Sequence, residues 1–234
     1  MKSHPLRHVA CIMDGNRRWA ARGAVSEVVH RQKAIDAILS SFDACLQRGI
    51  SYLSLYAFSL ENYRQRPAVV TTSLCEAVAH FCGQYADECL RKGIRVSFIG
   101  ARHLYPSFTR AAIEALEHKT REARTLTVQI LFFYGGQQEI VDAVVQCVRE
   151  GIAGRLQPEA LTTYTFSQYL STAAVPAPDL IIRTGGRARL SNFLLYQAAY
   201  SECMFLSQLW PDITKEVLLE CFTAYDAATR NFGA

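Results

Sequence analysis

No stretch of this 234-residue sequence approaches the roughly 20 consecutive apolar residues that a membrane-spanning helix requires. The apolar runs, such as residues 131–134 and 180–182, stop far short of it. The first residues, Met1-Lys-Ser-His-Pro-Leu-Arg-His, lead into a brief apolar run ending at Asp14, without the apolar core and cleavage site of a signal peptide. A cytoplasmic chain without a transmembrane helix is therefore expected. Neither GxxxxGK[ST] nor GxGxxG occurs, so the common phosphate loops are excluded. The eight cysteines form no CxxC pair, which argues against zinc and redox sites and for buried free thiols. Cys75, Cys82 and Cys89, spaced by seven, fall on one stripe of a helix, where cysteine acts as a small apolar filler. A concentrated basic run is also missing, so no nucleic-acid partner is expected.

Half of the positions are hydrophobic, enough for one sizeable core, and the length calls for a single domain over residues 1–234. The formal charge is +4, and 20 of the 25 basic residues are arginine. Arginine suits bidentate contact with phosphate oxygens, although base composition of the genome would give the same excess.

Short β-rich runs alternate with longer amphipathic stretches. Residues 8–13, 52–58, 95–99, 127–134, 180–183 and 203–206 read as strands buried on both faces. Residues 31–48, 68–92, 106–123, 137–150, 191–199 and 215–227 carry apolar side chains at helical spacing. Residues 151–178 read as an irregular connection with short helices. The alternation predicts an α/β fold: a six-stranded, mainly parallel sheet flanked by helices. Ligands of such sheets bind beyond the carboxyl ends of the strands. The informative segments are thus Asp14-Gly15-Asn16-Arg17-Arg18-Trp19, Ser59-Leu60-Glu61-Asn62, Tyr134-Gly135-Gly136 and Arg183-Thr184-Gly185-Gly186.

Each segment has a plain and a chemical reading. Asp14-Gly15-Asn16 is a turn sequence, yet its glycine lets backbone N–H groups approach a phosphate while Asp14 offers Mg²⁺ a carboxylate. Arg183 and Arg189, with the Gly185-Gly186 turn between them, suit a diphosphate. Ser191 is either the N-cap of a following helix or a ligand contact. His30 is a proton carrier or a helix-start residue. Glu202 is a second carboxylate near Mg²⁺ or a solvated charge at a strand end.

Taken together the segments resemble the cis-prenyltransferase family of the undecaprenyl diphosphate synthase type, over His8 to Gly233. The stretch His8-Val-Ala-Cys-Ile-Met-Asp-Gly-Asn-Arg-Arg-Trp19 looks like its first signature and Leu55-Tyr-Ala-Phe-Ser-Leu-Glu-Asn-Tyr63 its second. Pro178-Asp-Leu-Ile-Ile-Arg-Thr-Gly-Gly186, continuing through Leu190-Ser-Asn-Phe-Leu-Leu-Tyr-Gln197 to Leu209-Trp-Pro-Asp212, resembles the carboxyl-terminal signature.

The resemblance implies an Mg²⁺-dependent transferase that condenses isopentenyl diphosphate with an allylic diphosphate such as farnesyl diphosphate. A long cis-polyprenyl diphosphate such as undecaprenyl diphosphate would result. It implies Asp14 and Glu202 at the metal, and Gly15, Asn16, Arg17, Arg18, Trp19 and His30 at the allylic diphosphate. Arg183, Arg189 and Ser191 would hold isopentenyl diphosphate, while Ser59, Glu61, Asn62 and Arg66 close over the substrates. Asp14, His30, Asn62 through water and the departing diphosphate are all chemically suited to take the proton that is lost. Residues 68–92 would help line an apolar tunnel, their small side chains Cys75, Ala77, Ala79, Cys82, Gly83 and Ala86 leaving room for a long product. A homodimer and peripheral membrane association are further expectations. The rival reading is a non-catalytic or weakly active partner subunit.

Departures from the family pattern concentrate on the allylic side. Ser26-Glu27 occupies the place of a diphosphate-binding arginine, and residues 62–66 form a loop one residue longer than usual. Lys33 replaces a glycine, Val70 a glutamate, Phe133 an asparagine, Gln137 an arginine and Arg187 an acidic residue. Near the end, Asn231 stands where an arginine belongs.

Overall fold

The computed structural model describes residues 5–23 and 26–228. The Asn231 departure therefore lies outside the described residues. Six strands build one sheet: β1 (His8–Ile12), β2 (Tyr52–Ser59), β3 (Ile94–Ile99), β4 (Leu126–Tyr134), β5 (Leu180–Arg183) and β6 (Glu202–Phe205). Their order is β3-β4-β2-β1-β5-β6, and every neighbouring pair is parallel. Eight α-helices connect them among the described residues: α1 (Asn16–Gly23), α2 (Glu27–Arg48), α3 (Leu60–Gln65), α4 (Ala68–Arg91), α5 (Ser107–Thr120), α6 (Gly136–Ile152), α7 (Thr163–Ser167) and α8 (Lys215–Ala227).

Burial on both faces holds for the inner strands but not for the edges. All five residues of β1 and all four of β5 are buried, as parallel strands covered by helices require. At one edge β3 alternates buried and accessible positions, and at the other Glu202, Cys203 and Phe205 of β6 are exposed. The sheet separates a large apolar cluster, formed with α2, α4, α5 and α8, from a smaller one around Ile12, Tyr56, Tyr134, Phe193 and Leu194. Seven of the eight cysteines are buried free thiols, Cys203 being exposed.

Local chemistry sets the helix ends. Ser26 caps α2 by accepting from the Val29 N–H, and Gly49 ends that helix with φ +67°, the left-handed conformation a glycine takes without Cβ clash. Ser59 ends β2 and caps α3, its Oγ accepting from the Asn62 N–H at 3.0 Å. The stripe of Cys75, Cys82 and Cys89 on α4 faces the core, whereas Gly83 is exposed. The small residues expected to line one tunnel wall therefore lie on different faces of α4.

The β2–β4 pairing slips twice near its carboxyl end, between Tyr56 and Phe58 and between Phe58 and Ser59. Phe133 is the extra residue on β4, with φ +54°. Such a bulge re-aims side chains beside a site. Here it puts the Phe132 and Phe133 rings side by side, 4.4 Å between centroids, against Phe58 and Tyr105.

The helix expected over residues 191–199 does not form. Ser191, Asn192 and Leu194 all have positive φ, and only a 3-10 turn, Gln197–Tyr200, follows. Ser191 is therefore not a helix cap. The connection over residues 151–178 is irregular as expected, with a 3-10 turn at Pro158–Ala160 and α7.

Candidate active site

The carboxyl ends of β1, β2, β4 and β5 lie side by side, so the segments that follow them share one edge of the sheet. Asp14, two residues past β1, stands at its centre. Asp14 Oδ1 accepts from the Gly15 N–H at 2.7 Å, and Oδ2 accepts from Arg183 Nη2 at 2.9 Å. Arg183 is only 4 % exposed; its other terminal nitrogen donates to the Arg189 carbonyl and, at 2.7 Å, to Ser191 Oγ. One buried guanidinium thus joins the β1 turn to the loop after β5.

Gly15 is required by space as well as by backbone. Its φ is +105°, and a Cβ there would lie 2.8 Å from Leu209 Cδ2 and 3.0 Å from Leu209 Cα. The Trp210 N–H donates to the Asp14 carbonyl at 3.0 Å, so Leu209-Trp210 is the lid of this turn. Arg18, on α1, donates to the Gly185 carbonyl at 2.7 Å and lies 3.6 Å from Asp14 Oδ1. The Trp19 indole N–H donates to Asp212 Oδ1 at 2.6 Å, and its ring stacks on His30 with centroids 6.0 Å apart.

Five buried side-chain polar atoms of the described residues have no hydrogen-bond partner, and three belong here: Asn16 Oδ1, His30 Nε2 and Arg183 Nε. Buried polar groups are ordinarily paired. Their concentration around Asp14 is the mark of a place built to receive a polar ligand.

From β2, α3 carries Glu61 and Asn62 towards this edge and ends at Arg66. The Arg66 guanidinium lies over the Phe58 ring, 5.1 Å from its centroid. Its pKa is lowered, first by burial and then by the positive charge of Arg17, while Asp14 pulls it up. The Arg66 guanidinium thus lies within electrostatic reach of both Arg17 and Asp14.

Behind the β4 turn lies Glu139, a carboxylate 5 % exposed. It accepts from the Thr172 N–H at 3.0 Å, Thr172 Oγ1 at 2.9 Å, Ser171 Oγ at 2.8 Å and Gln197 Nε2 at 2.8 Å, and from the Tyr134 hydroxyl. Burial, followed by the Glu139 charge, drives the Tyr134 hydroxyl far above its usual pKa. Tyr134 therefore stays protonated and donates, pinning the Gly135-Gly136 turn.

Fourteen of the fifteen expected site residues lie on segments at this edge; Glu202 does not. It opens β6, paired with Leu180 at the amino end of β5, and the three steps from Glu202 to Phe205 alone climb about 10 Å. Within one chain the two carboxylates stand at opposite ends of the sheet, so the fold does not bring the expected Asp14–Glu202 pair together. Among the described residues no three His, Cys, Asp or Glu side chains form a metal cage. Ser26 and Glu27, in the place of the missing arginine, serve α2 instead: Ser26 caps it and Glu27 pairs with Arg31 at 2.9 Å.

Sequence reasoning missed Thr184, whose hydroxyl donates to the Asp14 carbonyl at 2.7 Å, and Asn192, which bridges three segments. Both stand inside the quoted motifs, but as uncharged polar residues their roles depend on backbone partners that the sequence does not display.

The family model for putative undecaprenyl diphosphate synthases matches residues 12–233. The chain belongs to the undecaprenyl diphosphate synthase family. It is a cis-prenyltransferase. An isoprenyl transferase of Agrobacterium fabrum is 40% identical over 227 residues, covering 97% of this chain and 92% of the relative. A farnesyl-diphosphate-specific ditrans,polycis-undecaprenyl-diphosphate synthase of Xanthomonas axonopodis pathovar citri is 39% identical, covering 97% and 88%. Among solved structures, lavandulyl diphosphate synthase from Lavandula x intermedia, in complex with dimethylallyl diphosphate, superimposes with a TM-score of 0.93. It is 29% identical, covering 97% of this chain and 98% of that one. A probable undecaprenyl diphosphate synthase from Campylobacter jejuni gives 0.82 at 28% identity, covering 99% and 100%.

Proposed function

We propose that the chain condenses isopentenyl diphosphate with an allylic diphosphate, farnesyl diphosphate being the starter of choice, to give a long cis-polyprenyl diphosphate. The observation that carries this reading is the buried Arg183 bridge between Asp14 and Ser191, bordered by unpartnered polar atoms on Asn16, His30 and Arg183 itself. The names of the relatives from Xanthomonas and Agrobacterium support it.

The roles are those that the family resemblance implies. Arg18, Asn16, Gly15 and His30 receive the allylic diphosphate, with Arg17 and Trp19 at the rim. Arg183, Arg189 and Ser191 hold isopentenyl diphosphate, and α3 with Arg66 covers both. Asp14 suits Mg²⁺, an ion commonly held by one or two carboxylates together with substrate phosphate oxygens, because both of its oxygens keep spare lone pairs. When bound, Mg²⁺ supplies positive charge against the leaving diphosphate. The arginines offset the same developing charge from a site already organised before reaction. As the C–O bond of the allylic diphosphate breaks, the isopentenyl double bond attacks C1, and a proton then leaves the adduct. Asn62, on α3, is the residue we assign to orient the acceptor of that proton.

Two copies would pair across the exposed β6 edge, where Glu202, Cys203 and Phe205 are accessible and Tyr200 is 84% exposed. A lipid product favours cytoplasmic work at a membrane surface. The test is incorporation of labelled isopentenyl diphosphate by the purified chain with and without Mg²⁺. Incorporation that needs Mg²⁺ and is lost in Asp14→Ala upholds the reading, and none in the presence of Mg²⁺ defeats it.

A further inference from the structure

Three residues in four with left-handed backbone, Ser191 (φ +52°), Asn192 (φ +64°) and Leu194 (φ +43°), make the loop after β5 the most strained segment described. Non-glycine residues hold that conformation only where surrounding contacts over-determine it. Those contacts converge on Asn192. Its carbonyl accepts from the Gly136 N–H at 2.7 Å, and its Oδ1 accepts from the Gln137 N–H at 2.8 Å. Its Nδ2 donates to Glu61 Oε1 at 2.5 Å.

The two glycines after β4 make room for this arrangement. A Cβ on Gly135 would lie 2.9 Å from Asn192 Nδ2 and 3.2 Å from Glu61 Oε1, and one on Gly136 would lie 3.1 Å from the Asn192 carbonyl oxygen. Asparagine suits the position because it tolerates left-handed backbone and carries a donor and an acceptor on one plane.

We propose that Asn192 and Glu61 are a positioning pair. They tie the loop presenting Ser191 and Arg189 to α3, so that an occupied isopentenyl diphosphate site and the placement of Asn62 and Arg66 over Asp14 are set together. The α3 segment has few other ties to that loop: Ser59 only caps α3 and Arg66 leans on Phe58. Glu61 in this role does not touch substrate; it acts through Asn192. The inference rests on the proposed function.

Exchange of polarity across the pair tests it. Asn192→Asp keeps the acceptor for Gln137 but turns the donor into an oxygen facing Glu61, and kcat/KM for isopentenyl diphosphate should fall at least ~10-fold. Glu61→Gln alone should cost about threefold, since an amide can still present its oxygen to Asn192. Combined, the two changes restore a donor opposite an acceptor, and most of the loss should return. Glu61→Ala removes the bridge from the α3 side alone and should raise KM for isopentenyl diphosphate about tenfold. A double variant as poor as Asn192→Asp, with wild-type melting temperature, overturns the pair, as does an unchanged KM in Glu61→Ala. A wild-type chain without turnover defeats only the proposed function. The rise in melting temperature on adding isopentenyl diphosphate still follows the same order across the wild type and its four variants if the pair is real, and a flat order across them refutes it.

Discussion

Asp14 and Arg183, 169 positions apart, meet at 2.9 Å at the centre of the sheet edge. Arginine is needed there because one planar fork must serve Asp14 on one arm and Ser191 and the Arg189 carbonyl on the other. Arg183→Lys keeps a charge but not the fork. Isopentenyl incorporation should fall at least ~100-fold, while the circular dichroism spectrum stays that of a folded chain. Retention of a third or more of wild-type turnover would refute the bridging role.

Gly185 has φ +84°, and a Cβ on it would lie 2.5 Å from Arg18 Nη2. Arg18 is a flexible side chain and moves aside, so Gly185→Ala should fold, with a backbone cost of about 1–2 kcal/mol. The displaced guanidinium should raise KM for the allylic diphosphate about tenfold and leave that for isopentenyl diphosphate nearly unchanged. Equal rises in both constants would contradict the separation of the two subsites. Steady-state kinetics with each substrate varied in turn is the measurement.

At Phe133 two effects oppose each other. Its left-handed backbone, φ +54°, costs about 1–2 kcal/mol for a residue of this kind, whereas losing a buried phenylalanine ring costs about 3–5 kcal/mol. Phe133→Asn relieves the first and forfeits the second, so the chain should lose about 2 kcal/mol in urea unfolding. A stabilised variant would mean that the ring contacts with Tyr63 and Phe132 contribute little.

His8 reports on pH. Burial pushes its imidazole pKa down to about 4, against the hydrogen bond with the Pro176 carbonyl and the charge of Asp179, which pull it up. The ring donates from Nδ1 to that carbonyl at 2.6 Å and stands 2.9 Å from Ser54 Oγ through Nε2. Between pH 6.5 and 4 the unfolded chain takes up a proton that the folded chain refuses, so stability falls as pH drops. From pH 7 to 5 this one group should remove about 2 kcal/mol. Urea unfolding of His8→Gln at both values should show a correspondingly shallower dependence, and an identical slope would exclude His8 as its source.

The sheet was legible in the sequence because each strand is a short apolar run between turn residues, as in 180–183. Two helices were not: α1 buries no residue and α3 has only six, so neither leaves an apolar stripe. The opposite failure occurred at residues 191–199, where Phe193, Leu194 and Leu195 mimic a buried helix face. There the hydrogen bonds of Asn192 hold a left-handed loop that periodicity cannot reveal. Site residues next to strand ends were legible for a physical reason, since parallel strands deliver whatever follows them to one edge. Glu202 opens its strand rather than following it, and a motif quoted as a string does not say which end of the sheet its letters reach. Phe133 in place of an asparagine was visible as a departure, but only the bulge explains it, asparagine being the residue that left-handed backbone favours.

The central place of β1, between β2 and β5, sets a timetable for synthesis. Asp14 leaves the ribosome early, yet Arg183 follows it by 169 residues, on the order of ten to thirty seconds at ordinary translation rates. During that interval one side of β1 has no strand to pair with, and the bare edge of a growing sheet is a template for aggregation. The first and last signatures of the enzyme must both be outside the ribosome before either can work, so nascent chains stalled before β5 should be the form that chaperones hold.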